Sequence, residues 1–240
     1  MALTRRSFLG GLVTVVVALP ATTACNETDA PSEATTPFPV PAHTKLSKRR
    51  FLVLSAAMDA MIPGDPSSPG ATLAHAAFYL DQLLAAFDVD PPRIFAGGPY
   101  SGRHGGPDHF QDLTPLTRVE ELRWRTFIQG SQGLPEREWN GPVVGLIERY
   151  EGWLDELDAS ARDETGTGYV ELDLETRRAL LQSADPELVK TLYEHTVEGT
   201  YGDPVYGGNH QFAGWLAIDY EGDRQPIGYT AAQMAHPEEN

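Results

Sequence analysis

The sequence is poor in cysteine and in basic residues. It has one cysteine in 240 residues, which excludes an internal disulfide bond and leaves the compartment to be inferred from the N-terminus. Lys and Arg number 18 against 34 Asp and Glu, for a formal net charge of −16. Nucleic-acid binding requires basic side chains that neutralise phosphates, so this charge argues against a nucleic-acid partner.

Sequence motifs of common catalytic and nucleotide-binding sites are also missing. There is no G-x-S-x-G motif of a serine hydrolase, and the one cysteine, Cys25, lies in the N-terminal leader or linker. The pairs Gly97-Gly98 and Gly105-Gly106 lack the strand before and the helix after that a phosphate-binding loop needs. We therefore expect no catalytic residues and no bound cofactor in this chain.

Histidines next to acidic residues occur in two places. Metal ligands need fixed backbone spacing, which a glycine-rich stretch around His104 and His109 does not supply, so we expect no metal there. That stretch, within residues 91–112, is predicted to be a long docking or solvent-exposed loop. His195 lies near Glu194 and Glu198 on a predicted helix, and we interpret it as a local ion pair.

Residues 1–24 have the layout of an export signal. Arg5, Arg6, Phe8 and Leu9 precede an apolar run, Gly10–Leu19, which is too short to span a bilayer as a mature helix. Consecutive arginines followed by Phe and Leu resemble the twin-arginine signal; the alternative is a generic export signal with two chance arginines. Because the twin-arginine route carries folded proteins, we expect a periplasmic location and a partner exported alongside.

Cys25 admits two interpretations. It follows the small residues Thr23 and Ala24, as the lipidated first residue of a membrane-anchored lipoprotein does, or it remains a free thiol after ordinary cleavage. Residues 25–45 contain several prolines and few large apolar side chains, which predicts a disordered linker. Such a linker would serve as a tether for the folded part.

Residues 46–240 have the apolar spacing of a single all-α, compact helical domain with long loops, and strand-type alternation is almost absent. Ser47 is a predicted N-cap, Thr117 and Glu120 form a capping box, and Asp173 and Asp185 cap two further helices. Helices are expected over residues 47–62, 72–87, from 117 through Trp124 and Phe127, 142–157, 173–183 and 185–199. The residues after 199 are not expected to be helical.

The most distinctive stretch runs over residues 193–209 and is followed by Gly214-Trp215 and Gly228-Tyr229. It resembles the C-terminal signature of the gluconate 2-dehydrogenase subunit 3 family, in which a helix ending in Glu-Gly leads to a DP.YGGN motif and then Gly-Trp. The N-terminal half agrees more loosely, at Met61-Ile62-Pro63 and at residues 115–118. The resemblance covers about residues 47–230.

This resemblance implies a non-catalytic small subunit of a flavin-dependent dehydrogenase that oxidises a sugar, a sugar acid or another alcohol. FAD would belong to a large partner subunit of the glucose-methanol-choline type, and haem to a multihaem cytochrome c that often accepts the electrons. The small subunit would stabilise the large subunit and supply its twin-arginine export signal. The alternatives from other classes are a stand-alone lipoprotein binding module and an independent hydrolase.

The signature also contains a candidate partner interface. Glycines tolerate positive φ and close backbone approach, and aromatic side chains are typical interface anchors. In the alternative interpretation, the same residues pin the C-terminal segment onto the helices. The interface candidates are Tyr201, Asp203, Pro204, Tyr206, Gly207, Gly208, Asn209 and Trp215.

Overall fold

Eight α-helices form the framework of the part of the chain that the structure describes. The structure, a computed structural model, describes residues 38–42, 44–94 and 115–220, all within one unit that spans residues 37–240. These ranges contain isolated β-bridges but no strand, so the all-α prediction is confirmed. The helices are α1 (Lys48–Met61), α2 (Gly70–Leu73), α3 (Ala76–Leu84), α4 (Arg118–Gln129), α5 (Leu146–Thr165), α6 (Leu174–Ser183), α7 (Pro186–Tyr201) and α8 (Ala213–Ala217).

Several sequence predictions concern residues outside these ranges. They are the signal peptide with Arg5, Arg6, Phe8 and Leu9, the lipidation candidate Cys25, the loop around residues 97–107, and Gly228-Tyr229. All of these remain predictions.

The end of the predicted linker packs onto the helices. Phe38 is buried in the main core, and the guanidinium of Arg177 lies over its ring at 5.4 Å. The backbone N–H groups of Lys45 and Leu46 both donate to the carboxylate of Asp81 at 3.0 Å. An aromatic side chain and a buried carboxylate thus hold Phe38, Lys45 and Leu46 against the helices, and the linker prediction for residues 25–45 stays a prediction.

Helix α1 is the centre of the bundle. Its N-cap Ser47 accepts a hydrogen bond from the backbone N–H of Arg50, as predicted. Most side chains from Phe51 to Ala60 are buried, and α1 packs against α2, α3, α5, α6 and α7. A helix that is apolar around most of its circumference requires such neighbours on every side.

The prediction of one helix over residues 72–87 is wrong in its continuity. The chain forms α2 and then α3, with a break at His75, whose φ of 58° is left-handed and cannot continue an α-helix. The turn before α2 is equally constrained, because a Cβ on Gly70 would overlap the backbone of Gly64. The apolar spacing of the sequence continues through residue 75, so periodicity does not reveal the break.

The start of α5 also differs from the prediction of 142–157. Residue 143 lies before the helix, where Val143 exchanges hydrogen bonds with Ser131: its N–H donates to Ser131 Oγ at 3.0 Å and its carbonyl accepts from Ser131 N–H at 2.9 Å. Gly145 packs so closely on the backbone of Gly130 that a Cβ at residue 145 would overlap it. This contact fixes the turn into α5. The helix then continues to Thr165.

The remaining helix boundaries follow their caps. The capping box of Thr117 and Glu120 is present at α4, and Asp173 and Asp185 cap α6 and α7. Helix α7 ends at Tyr201, two residues beyond the predicted end. The following segment, expected to lack helix, contains two 3-10 turns and the short α8.

Helices α3 and α7 cross in close contact at Gly199. A Cβ added at Gly199 would lie 2.8 Å from both Cα and the carbonyl oxygen of Ala76. Both atoms belong to the α3 backbone and cannot swing aside as a long side chain can. A glycine at this position therefore sets the distance between the two helices.

We expect Gly199→Ala to destabilise the protein by roughly 1–3 kcal/mol, because the methyl group forces α3 and α7 apart. Urea-induced unfolding measures the change in the free energy of unfolding. The matched control is Gly152→Ala in α5, where a Cβ meets no atom within 4 Å and the better helix propensity of alanine should give a gain of up to about 1 kcal/mol. Equal stability of the two variants would contradict this description of the crossing.

Candidate functional site

The signature after α7 begins with a capped turn. Asp203 accepts a hydrogen bond from the backbone N–H of Val205 at 2.9 Å and so caps the 3-10 turn Pro204–Tyr206. Gly207 follows with a φ of 96°, a conformation that favours glycine. A Cβ on Gly207 would overlap the side chain of Gln82, so the turn lies directly against α3.

Asn209 is the buried polar centre of the signature, with 0% of its surface exposed. Its backbone N–H donates to the carbonyl of Gly199 at 2.7 Å, and its Nδ2 donates to the carbonyl of Gly202 at 2.9 Å. Its Oδ1 accepts from the N–H groups of Gly214 at 2.8 Å and Trp215 at 3.4 Å. One side-chain amide thus supplies both a donor to the end of α7 and an acceptor for the start of α8.

Close packing on the α7 backbone explains two more glycines of the signature. A Cβ on Gly208 would overlap the carbonyl of Gly199, and one on Gly214 would overlap the carbonyl of Thr200. Trp215 is 3% exposed, and its Nε1 donates to the carbonyl of Tyr201 at 2.7 Å. We call the segment from Gly202 to Trp215, held by these contacts, the clasp.

The clasp contacts are those expected if the signature residues pin the chain after α7 onto the helices. Gly208, Asn209 and Trp215 are buried within the chain. The other interface candidates are partly exposed: Tyr201, Asp203, Pro204, Tyr206 and Gly207. Contact of any of these residues with a partner stays a prediction.

Two stacked histidines extend the clasp to the break between α2 and α3. The backbone N–H of His210 donates to the carbonyl of Ala74 at 3.0 Å, and its ring stacks on His75 with the centroids 4.1 Å apart. His75 in turn stacks on Phe78. Burial and the neighbouring His210 lower the pKa of His75, so the packed arrangement favours its neutral form.

His195 forms a buried hydrogen bond between α5 and α7. Its Nδ1 lies 2.7 Å from the hydroxyl oxygen of Tyr150, and burial lowers the pKa of His195 while it raises that of Tyr150. The side-chain hydrogen bond of Glu198 comes from the hydroxyl of Tyr79 at 2.7 Å. The local ion pair predicted for His195 is therefore replaced by a cross-helix hydrogen bond, which helical spacing alone cannot reveal.

An open groove of 560 Å³ lies beside the clasp. It is lined by residues of α3, α4, the chain after α3 and the capped turn: Tyr79, Gln82, Leu83, Arg93, Ile94, Trp124, Val205 and Tyr206. Trp124 also borders a second depression, of 480 Å³, along α4. The signature turn and α4 thus share one continuous recessed surface.

The outward orientation of α4 could not be recognised from its apolar spacing. Trp124 and Phe127 are 36% and 44% exposed, whereas Ile128 is the buried residue of this helix. The sequence signal that accompanies this face is the mixture of two aromatic residues with arginines, a composition enriched at interfaces.

The described residues contain neither a metal-binding cluster nor a membrane-spanning helix. No group of three or more His, Cys, Asp or Glu residues there is arranged to hold a metal ion. The helices of those ranges are each too short or too polar to cross a membrane. The features that the described residues present are a tightly packed clasp and a groove with aromatic residues in its lining, on a helical framework.

Comparison with known families identifies the kind of protein. The family model described as Gluconate 2-dehydrogenase subunit 3 matches residues 48–222, which include all eight helices. The chain belongs to this family, and the resemblance seen in the signature is confirmed. No curated protein and no solved structure matches the chain.

Asn209→Ala should destabilise the fold by roughly 2–4 kcal/mol, because it removes the side-chain hydrogen bonds and leaves buried backbone groups unpaired. Thermal and urea unfolding measure the loss. Asn140→Ala is the matched control, since Asn140 is exposed in a turn and its truncation should change stability by less than about 0.5 kcal/mol. An Asn209→Ala variant as stable as this control would show that the clasp does not depend on the amide.

Proposed function

We propose that this chain is a non-catalytic accessory subunit of a flavin-dependent dehydrogenase that acts on a sugar, a sugar acid or another alcohol. The observation that carries the proposal is the family match over residues 48–222, since the family is named for a subunit of gluconate 2-dehydrogenase. In this proposal FAD and the oxidation chemistry belong to a large subunit of the glucose-methanol-choline type. A multihaem cytochrome c often accepts the electrons in complexes of this kind.

The first role of the accessory subunit is to stabilise its partner. A protein that binds only the folded form of another shifts the folding equilibrium of that partner by mass action. The clasp supports this role, because Gly208, Asn209 and Trp215 hold it tightly against the end of α7. A preorganised surface loses less conformational entropy when a complex forms.

The second role is export. The leader with Arg5, Arg6, Phe8 and Leu9 is the proposed twin-arginine signal, and the large subunit crosses the membrane folded and loaded with flavin in association with it. The mature complex is then periplasmic. Two forms of the N-terminus remain open in this proposal: a lipid on Cys25 that anchors the complex through the linker, or a cleaved terminus with a free thiol.

A stand-alone lipoprotein binding module is the second candidate function. The observation that favours it is the groove of 560 Å³, a size typical of small-molecule sites. The two candidates differ in what accompanies the purified chain. A binding module is isolated without a flavoprotein, whereas an accessory subunit is isolated with one.

Purification of the chain, expressed with its leader and a C-terminal tag, from the periplasm of its native cells tests the proposal. We expect a larger flavoprotein to co-purify, with the absorbance bands of flavin and, where the cytochrome is retained, of haem. Replacement of both arginines, Arg5→Lys with Arg6→Lys, should leave the chain and the flavoprotein in the cytoplasm, because the twin-arginine route requires the arginine pair.

The control for export is Thr4→Ala, which alters the leader but keeps both arginines and should leave export intact. A colourless chain that elutes alone from wild-type cells would contradict the accessory-subunit proposal and favour the binding module. Unchanged export of the double lysine variant would contradict the proposed export route alone.

A further inference from the structure

We propose that the flavoprotein subunit binds to the outer face of α4 together with the groove that joins it to Tyr206. This inference rests on the proposed function, since it assigns a surface to the partner proposed above. We call this surface the aromatic face. It comprises Val119, Arg123, Trp124 and Phe127 of α4 and Tyr206 of the clasp.

Helix α4 leaves its outer side uncovered by the described residues. On its inner side Ile128 joins a small core cluster with Ala86 and Ile94. On the outer side Val119 is 67% exposed, and Val119, Arg123 and Phe127 follow one another at intervals of four residues, which places them in one row along the helix. Trp124 lies three residues from Phe127 and adjoins this row. A row of large exposed apolar side chains on a soluble protein marks an interaction site.

The aromatic face is recessed and preorganised. Trp124 and Phe127 contact each other edge to face, with ring centroids 5.9 Å apart. On the other side of α4, Arg125 pairs with Glu121 of the same helix at 2.7 Å. The guanidinium of Arg125 also lies over the ring of Phe87 at 4.2 Å, which connects α4 to the chain after α3. Aromatic anchors in a fixed pocket are the usual centre of a binding interface.

The aromatic face is continuous with the family signature. Trp124 lines the groove together with Val205 and Tyr206, and it also lines the depression beside Phe127. Gln82, which touches Gly207, forms part of the same groove. The partly exposed side of the clasp and the exposed side of α4 therefore form one surface that a single partner can cover.

Charge favours a different protein over a second copy of this chain. Two copies, each with a net charge of −16, repel one another as they approach. Residues 115–145 do not share this excess of negative charge, because they contain four arginines and four glutamates and no other charged residue. The aromatic face is thus a nearly neutral, apolar area in an acidic chain.

Arg123 indicates the chemistry of the matching surface. It is exposed, and among the described residues it forms no ion pair. An apolar interface that includes an exposed arginine is complemented by an apolar patch that carries a carboxylate. We expect such a patch on the flavoprotein, opposite Arg123.

The test combines three variants with a photo-crosslink, and uses the full-length chain purified with its flavoprotein. Trp124→Ala and Phe127→Ala should each lower the flavin recovered per chain, or the measured affinity for the flavoprotein, at least about tenfold. Arg123→Glu should weaken binding through charge reversal. Tyr193→Ala is the matched control, because Tyr193 is an exposed aromatic residue of α7, 54% exposed, outside the groove. Unfolding curves establish that each variant is folded.

A photoreactive amino acid in place of Phe127 identifies the occupant of the surface. A crosslink to the flavoprotein supports the proposal, whereas a crosslink to a second copy, or to residues 95–114 of the same chain, overturns it. If the folded Trp124→Ala and Phe127→Ala variants bind the flavoprotein as tightly as the wild-type chain does, the proposal is also overturned. The proposed function then still stands. If the wild-type chain binds no flavoprotein, the proposed function fails and this inference fails with it.

Discussion

Backbone-to-backbone packing at Gly199 is the constraint on which the C-terminal half of this protein depends. On one side Gly199 lies against Ala76 of α3, and on the other side its carbonyl lies against Gly208 and accepts the N–H of Asn209. A side chain at residue 199 or 208 would separate these layers. Steric packing thereby explains why Gly199 and Gly208 of the signature are glycines.

The same packing determines where the recessed surface lies. Because Gly207 and Gly208 sit on α3 and α7, the capped turn that carries Tyr206 is fixed next to Gln82 and opposite Trp124. Asn209 then links the end of α7 to α8 through a single amide. The family signature thus has a structural role in the described residues, and its exposed side becomes one wall of the groove proposed to receive the flavoprotein.

Sequence patterns predicted the features that depend on local chemistry. The caps Ser47 and Asp173 and the capping box at Thr117 lie at the expected helix starts, because a cap requires only neighbouring backbone groups. The late start of α5 escaped prediction because it depends on the contact of Gly145 with the distant backbone of Gly130. The break at His75 lies beside the hydrogen bond from the N–H of His210 to the carbonyl of Ala74, and apolar spacing does not reveal it.

The candidate site, like the fold, was predictable only in part from the sequence. The motif indicated which residues matter, but it did not distinguish the buried Asn209 and Trp215 from the partly exposed Tyr206. Nor could periodicity show that Trp124 faces outward, since a core-facing stripe and an exposed stripe have identical spacing.

The most direct measurement of the proposed stabilising role is the temperature at which flavin is released from the large subunit, with and without this chain. The accessory-subunit account predicts release at a higher temperature in the complex, and an unchanged release temperature would contradict it.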